Sequence, residues 1–294
     1  MEELQQTVDI VPLGHEYDRA IAPFRIRKVD RVHLLTIQAH DGHDPAMFEK
    51  QRHFNRKVEA FLRGHDIDVR VVSVDLFDIR AVMNAVAQLV KTEQEVGNSV
   101  FVNMSACGRL TSVGATLAGM AHNATVYYVH ADGYSVTQDQ ELEHGLSICT
   151  TDRVERLYNF PFALPSDDEQ QLLVELCRRE RVLAGRGADE VRLNSREMRK
   201  LHDHPKMPAV RAYFIRNQER GGRTGEQYFL TWLNKVFLEK LLLNGYIVKT
   251  RETRREWRLG ITDAGRYLAA ISGEDLAAPA HTAGSRAVFH RERP

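Results

Sequence analysis

Apolar residues along the first 130 positions recur in two alternating rhythms. Short runs rich in Val, Ile and Leu occupy 8–13 (VDIVPL), 31–38 (RVHLLTIQ), 68–74 (DVRVVSV), 99–102 (SVFV) and 124–129 (ATVYYV), each the length of a buried strand. Between them apolar residues return at helical spacing: Tyr17, Ile21 and Phe24 within 16–27; Phe54, Val58, Phe61 and Leu62 within 47–63; Val82, Val86, Leu89 and Val90 within 79–95; Leu110, Val113, Leu117 and Met120 within 109–122. Pro23 removes a helical donor, so the first helix is expected to be irregular. Alternation at about 30-residue intervals is the signature of βαβ units and predicts an α/β fold, a Rossmann-like parallel sheet with helices on both faces. If the strands lie in the order 3-2-1-4-5, the first is beside the fourth. Gly14-His15 and the 103–109 loop then face one another across a crevice at the strand carboxyl ends. A less regular segment follows the fifth strand, with a further strand expected at 156–160.

Near residue 164 the rhythm changes. Pro161, Pro165 and Ser166-Asp167-Asp168 read as a linker and a helix cap, and helical patterns follow at 168–183 (Leu172, Leu173, Leu176, Cys177), 194–201, 208–220 and 226–243. The last is the strongest, with Phe229, Trp232, Leu233, Val236, Phe237 and Leu241 near one face, and Asn244-Gly245 closes it as a left-handed cap. Residues 246–249 and 257–261 can pair across a charged tip, 250–256, before Thr262-Asp263-Ala264-Gly265 opens a last helix. Helix, Asn-Gly, strand, basic tip, strand and helix together spell a winged helix-turn-helix. The expected division is a Rossmann-like domain over 1–163, to which the resemblance described below assigns ligand sensing and dimerisation, a winged helix over 164–272 and a disordered tail over 273–294.

Charge sharpens this division. The chain has 294 residues, 43% of them hydrophobic, and a formal net charge of zero. Residues 1–165 hold 16 Lys and Arg against 22 Asp and Glu, a balance of −6, and residues 166–294 hold 24 against 18, a balance of +6. The first half is thus unsuited to nucleic acid and the second suited to it. Arg220, Arg223, Arg251, Arg254 and Arg255 are the expected phosphate contacts to double-stranded DNA. The long 226–243 helix precedes the wing as a recognition helix does, yet it is apolar enough for a dimer core. Three widely spaced cysteines, Cys107, Cys149 and Cys177, argue against a disulfide framework and a Cys-based zinc site. No apolar run has membrane-spanning length and the N-terminus carries no leader pattern, so a cytosolic location without membrane contact is expected.

The chemistry concentrates between residues 103 and 109. Ser105, Ala106, Cys107 and Gly108 are small residues between a strand and a helix, where a ligand can approach the backbone, and Arg109 joins the free N–H groups of the helix's first turn in suiting an anion. The alternative is that Gly108, Gly114 and Gly119 only permit close helix–sheet packing. The run matches neither the dinucleotide fingerprint nor the Walker pattern. His40, Asp41, His43 and Asp44 read as solvated turn formers rather than a metal site, no cofactor is expected, and neither a Ser-His-acid triad nor paired carboxylates can be assembled. No catalytic residue is assigned.

The Gly-bearing loop after the first strand, an N-x-S-x-x-G-[RK] loop after the fourth and a C-terminal winged helix resemble the CRISPR-associated Rossmann fold (CARF) regulators of archaea, most closely the haloarchaeal type. The resemblance implies a homodimeric, DNA-binding transcription regulator that binds a cyclic oligoadenylate second messenger across the two-fold axis. It matches Gly14, His15 and Arg19 to the first loop, and Asn103, Ser105, Gly108 and Arg109 to the fourth. Where the family often carries adjacent glycines this chain reads Ala106-Cys107-Gly108. It also implies two alternatives. One is a metal-independent ring nuclease, in which Ser105 and Arg109 would orient the cyclic ligand, with no dedicated base and His15 the nearest substitute. The other is a regulator answering a different effector.

Overall fold

The computed structural model describes residues 5–38, 44–160, 162–184, 193–218, 222–251 and 257–274. Five parallel strands, β1 (Thr7–Pro12), β2 (Arg31–Ile37), β3 (Asp68–Val74), β4 (Ser99–Asn103) and β5 (Thr125–Val129), stand in the order β3-β2-β1-β4-β5. Helices α1 (Tyr17–Ile26) and α2 (Pro45–Gly64) pack on one face against Val11, Leu34 and Val69; α3 (Ile79–Glu95) and α4 (Arg109–Ala121) pack on the other against Ile10, Leu35, Val102 and Val126. The sheet is thus wound in both directions from β1, and the reversal falls between β1 and β4. Asp44 and Asp78 accept the Ala46 and Arg80 amides at 3.0 and 2.9 Å, capping α2 and α3.

Pro23 does not break α1. It has no N–H to offer the Arg19 carbonyl one turn back, and Asn103 Nδ2 donates to that oxygen instead, at 3.0 Å. After β5 the chain is more ordered than its sequence pattern predicts. Strands β6 (Gly133–Tyr134) and β7 (Ser147–Ile148) pair around α5 (Gln138–His144), and β8 (Val154–Arg156) adds antiparallel to β5. The strand expected at 156–160 therefore lies earlier. Tyr158 and Phe160 stand 95% and 61% exposed.

The remaining elements are α6 (Asp167–Ala184), β9 (Leu193–Asn194), α7 (Ser195–Arg199), a 3₁₀ turn (Leu201–Asp203), α8 (Pro208–Gln218), α9 (Gly222–Trp232), a π turn (Leu233–Phe237), α10 (Leu238–Leu243), β10 (Ile247–Arg251), β11 (Trp257–Ile261) and α11 (Asp263–Ile271). They enclose a core of their own, built on Leu172, Leu173, Phe229, Leu233 and Leu259. Glu169 reaches back to the start of α6, its Oε2 accepting both the backbone N–H and the hydroxyl of Ser166 at 2.8 and 2.9 Å. The helix expected over 226–243 starts at Gly222 and contains the π turn; Gly245 follows it with φ +71°. Strands β10, β11 and β9 form a three-stranded antiparallel sheet.

Helix α11 ends away from that core. Ala270 and Ile271 join the cluster formed by α3, α4 and the parallel sheet, and Gly273 has φ +69°, where a Cβ would lie 2.8 Å from Gln88 N. Among the described residues no helix is long and apolar enough to cross a membrane. Of the expected tail over 273–294, Gly273 and Glu274 are placed against the fold, and of the expected tip over 250–256, Thr250 and Arg251 belong to β10; the rest of both, with His40, Asp41 and His43, lies outside the described residues.

Candidate functional site

The β1 and β4 loops meet where the winding reverses, and they meet in contact. Gly14 N donates to Ala106 O at 2.8 Å, and a Cβ on Gly14 would lie 3.3 Å from Cys107 Cα, a tight contact that a larger residue could make only by shifting the Cys107 backbone. Ala106 is fully buried in the α1–α2 core. Asn103 is also fully buried: its Oδ1 accepts Ser105 N at 2.9 Å and Ser105 Oγ at 2.6 Å, while Ser105 Oγ accepts Val129 N at 3.0 Å. Arg19 reaches over from α1, donating to Ser105 O at 3.4 Å and Tyr128 Oη at 3.1 Å, its guanidinium 5.2 Å from the Tyr128 ring centroid. Of the residues singled out from sequence, Asn103, Ser105, Ala106 and Arg19 therefore build the loop, and Gly108 and Arg109 are its exposed rim.

Gly108 is the N-cap of α4, with φ −64° and no side-chain cap, and a Cβ there would meet nothing nearer than Thr111 Oγ1 at 3.8 Å. The fold does not require a glycine at this position. Gly114 and Gly119 are different: a Cβ would lie 3.0 Å from Ile79 Cγ1 in the first case and 3.0 Å from Val126 Cγ2 in the second. The packing explanation therefore holds for these two glycines and not for Gly108. Thr111 Oγ1 donates to Leu76 O at 2.6 Å, fixing the first turn of α4. Beside it Leu110, Val113 and Phe77 are 51%, 50% and 55% exposed.

His15 stacks on Phe54 at 5.7 Å, and burial, with Lys50 nearby, pushes its pKa down, so it is neutral near pH 7. Its carbonyl accepts Leu146 N at 2.9 Å, and the β6–α5–β7 segment closes over this end of α1. Glu16 accepts Ser147 N and Oγ at 3.1 and 3.0 Å, Asp18 accepts Cys149 N at 2.9 Å, and Lys50 pairs with Glu141. Gly145 holds φ +87° with a would-be Cβ 2.5 Å from Tyr17 N, a backbone position that only glycine fits. Sequence reasoning missed this segment, together with Tyr128, whose place at the end of a strand beside the loop was its only signal.

Asp132 anchors the far end of the segment. It accepts the Thr150 and Thr151 amides at 2.7 and 2.9 Å and both hydroxyls at 3.0 and 2.8 Å, and these bonds, the Thr151 amide foremost, hold its pKa at about 2. A carboxylate held below its ordinary value contributes stability above that value and loses it as pH falls toward about 2. Protection of residues 132–151 against hydrogen exchange, taken relative to the intrinsic rate at each pH, is accordingly expected to fall between about pH 4 and pH 2 in the wild type. The same loosening is expected at pH 7 in Asp132→Ala.

None of the cysteines is poised as a nucleophile. Burial pushes the Cys107 thiol up to about 12 and those of Cys149 and Cys177 to about 11. Iodoacetamide at pH 8 is expected to leave all three unmodified in the folded protein and to alkylate them in urea, read by mass spectrometry. Among the described residues no group of His, Cys, Asp and Glu is placed to hold a metal ion. Arg220, Arg254 and Arg255 lie outside the described residues. For Arg223 and Arg251 only the backbone is described, at the start of α9 and the end of β10.

The profile of the family described as HFX_2341_N:-like, N-terminal matches residues 7–134, which span β1 to β6. No curated protein matches the chain. Solved structures resemble it at low identity, and three of them serve as examples. Protein VC1899 from Vibrio cholerae is 13% identical over 90% of this chain and 64% of its own, with a TM-score of 0.38. Enterococcus italicus Csm6 bound to cyclic hexa-2'-fluoro-hexa-dAMP is 16% identical over 82% and 64%, TM-score 0.42. Can2 from Sulfobacillus thermosulfidooxidans in complex with cyclic tetra-adenylate is 10% identical over 90% and 62%, TM-score 0.35. The chain thus spans less than two thirds of the length of each.

Proposed function

We propose that residues 1–163 form a CARF-like sensor that takes cyclic oligoadenylate at the strand carboxyl ends of a homodimer, and that residues 164–272 form a winged helix that binds DNA in response. The observation that carries the ligand reading is Gly108. A glycine the packing does not need caps α4 at the topological switch point, leaving the first-turn N–H groups and Arg109 open to a phosphodiester. The exposed apolar residues Leu110, Val113 and Phe77 next to it support a second copy docking across this end of the sheet. For the C-terminal half, the support is the order helix, strand, helices and hairpin, with β9 pairing on the outer edge of β11. Phosphate contacts would then fall to Arg220, Arg223, Arg251, Arg254 and Arg255, with affinity for duplex DNA falling steeply as salt rises.

Calorimetric titration with cyclic tetra-adenylate tests the ligand. Saturable binding near one ring per two chains is expected, lost in Arg109→Ala. Gly108→Thr is the sharper variant, because its hydroxyl would cap α4 and occupy the N–H groups the phosphate needs. It is expected to leave the melting temperature unchanged or higher while weakening the ring at least tenfold. No heat with any ring size rejects cyclic oligoadenylate as the ligand. Linear products accumulating in the same cell, seen by mass spectrometry, would instead identify a ring nuclease.

A further inference from the structure

Helices α3 and α4 are joined at both ends. At the crevice end Thr111 Oγ1 donates to Leu76 O at 2.6 Å just before α3, and Gly114 lets Ile79 come close. At the far end Gln94 Nε2 donates to His122 O at 2.9 Å. Along the interface Met83, Val86, Ala87 and Val90 meet Ala115 and Ala118 in one core cluster. Two helices tied this way move together, because a displacement of either breaks packing along its whole length. The 13 residues of α4 carry any such displacement about 20 Å from the Gly108 cap.

What stands at the far end is the end of α11. A helix C-terminus leaves carbonyls without helical partners, and here two side chains of the α3–α4 pair take them. His122 Nε2 donates to Ile271 O at 2.6 Å and Lys91 Nζ donates to Ser272 O at 2.9 Å. Burial pushes the His122 pKa down; the neutral ring must carry its proton on Nε2, since a carbonyl only accepts. Gly273, in its left-handed conformation, lies directly on the α3 backbone at Ala87 and Gln88. From there α11 leads back into the C-terminal core: Arg266 pairs with both oxygens of Glu180 on α6, at 2.9 and 2.7 Å, and Ala269 is buried among the α6 to β11 residues.

We infer that the α3–α4 pair is the lever by which occupancy of the crevice reaches the C-terminal unit, and that the joint is the seat of residues 270–273 on Lys91, His122 and the α3 backbone. The inference rests on the reading of the crevice as the ligand site. A ring that holds the first turn of α4 in one place favours one seating of α11, and the two equilibria are coupled by that difference alone.

Hydrogen exchange on the full-length chain, with and without cyclic tetra-adenylate, tests it. In the wild type the ring is expected to change protection at residues 104–111 and again at 263–273. In the double variant Lys91→Ala/His122→Ala, affinity for the ring should stay within threefold and the change at 104–111 should persist, while the change at 263–273 is lost. Transmission as strong as in the wild type overturns the inference, as does a wild type that responds only at the loop. Should no ring bind, which would overturn the ligand reading instead, a cycle of Thr111→Val with His122→Ala decides the coupling. Non-additive unfolding free energies are expected for two sites at opposite ends of one helix, and additive ones overturn it.

Discussion

Replacing Arg27 by alanine is expected to destabilise the protein by about 3 to 5 kcal/mol, measured by urea denaturation at pH 7. Asp9 sits in the middle of β1 with no solvent exposure. Its carboxylate accepts Arg27 Nη2 at both oxygens, at 2.7 and 2.9 Å, and Tyr127 Oη at 2.8 Å. Arg27 lies over Phe101, its guanidinium carbon 4.1 Å from the ring centroid. Burial is the larger influence on Asp9 and pushes its pKa up, against the pull of Arg27 and Tyr127. Without the guanidinium the carboxylate stays buried with one hydroxyl for company. A raised carboxyl pKa means the folded state holds its proton more tightly, so stability falls as pH rises through the raised value. The deficit of Arg27→Ala should therefore shrink as pH is lowered, because protonation of Asp9 removes the buried charge that Arg27 balances. A deficit that does not change with pH, or one below about 1 kcal/mol, would show that Asp9 is not the reason.

The second large effect belongs to Asn103→Ala. Its side chain satisfies Ser105 N, Ser105 Oγ and the Arg19 carbonyl that Pro23 cannot reach. Removing it strands buried polar groups on the β4 loop and in α1, at about 2 to 4 kcal/mol in all. The functional consequence is larger in proportion. Gly14 is hydrogen-bonded to Ala106, so an unheld loop releases the first-strand turn as well. Ring binding is expected to disappear in Asn103→Ala even at temperatures where the protein stays folded. Asn103→Asp keeps the acceptor for Ser105 but sets a buried carboxylate oxygen against the Arg19 carbonyl in place of the donor, so its stability should recover only as pH falls and the carboxyl becomes able to donate.

The parallel sheet was legible because each strand is a continuous apolar run and each helix a periodic one, so the alternation and the strand order survive any uncertainty at their ends. Local cap chemistry was equally readable at Ser166 and at Asn244-Gly245. The roles of individual loop residues were not, because they depend on partners far along the chain. Asn103 and Ser105 suit a ligand by their chemistry, but Asn103 answers a proline 80 positions earlier. The β6–α5–β7 segment has almost no apolar signal of its own; Glu16 and Asp18, about 130 positions away, hold it. One sign was present and unused: an acid in the apolar run VDIVPL announces a buried partner, which proved to be Arg27.

The seat of α11 has a consequence for the way the chain is made. Lys91 and His122 wait for carbonyls 181 and 149 positions downstream. At synthesis rates of about 5 to 20 residues per second, the α3–α4 surface is complete roughly 10 to 30 seconds before its cover leaves the ribosome. During that interval Met120, Ala87 and their neighbours face water or whatever else is nearby. The seat can close only once residues 270–273 have emerged. A nascent chain halted before residue 270 should be the species that molecular chaperones hold longest.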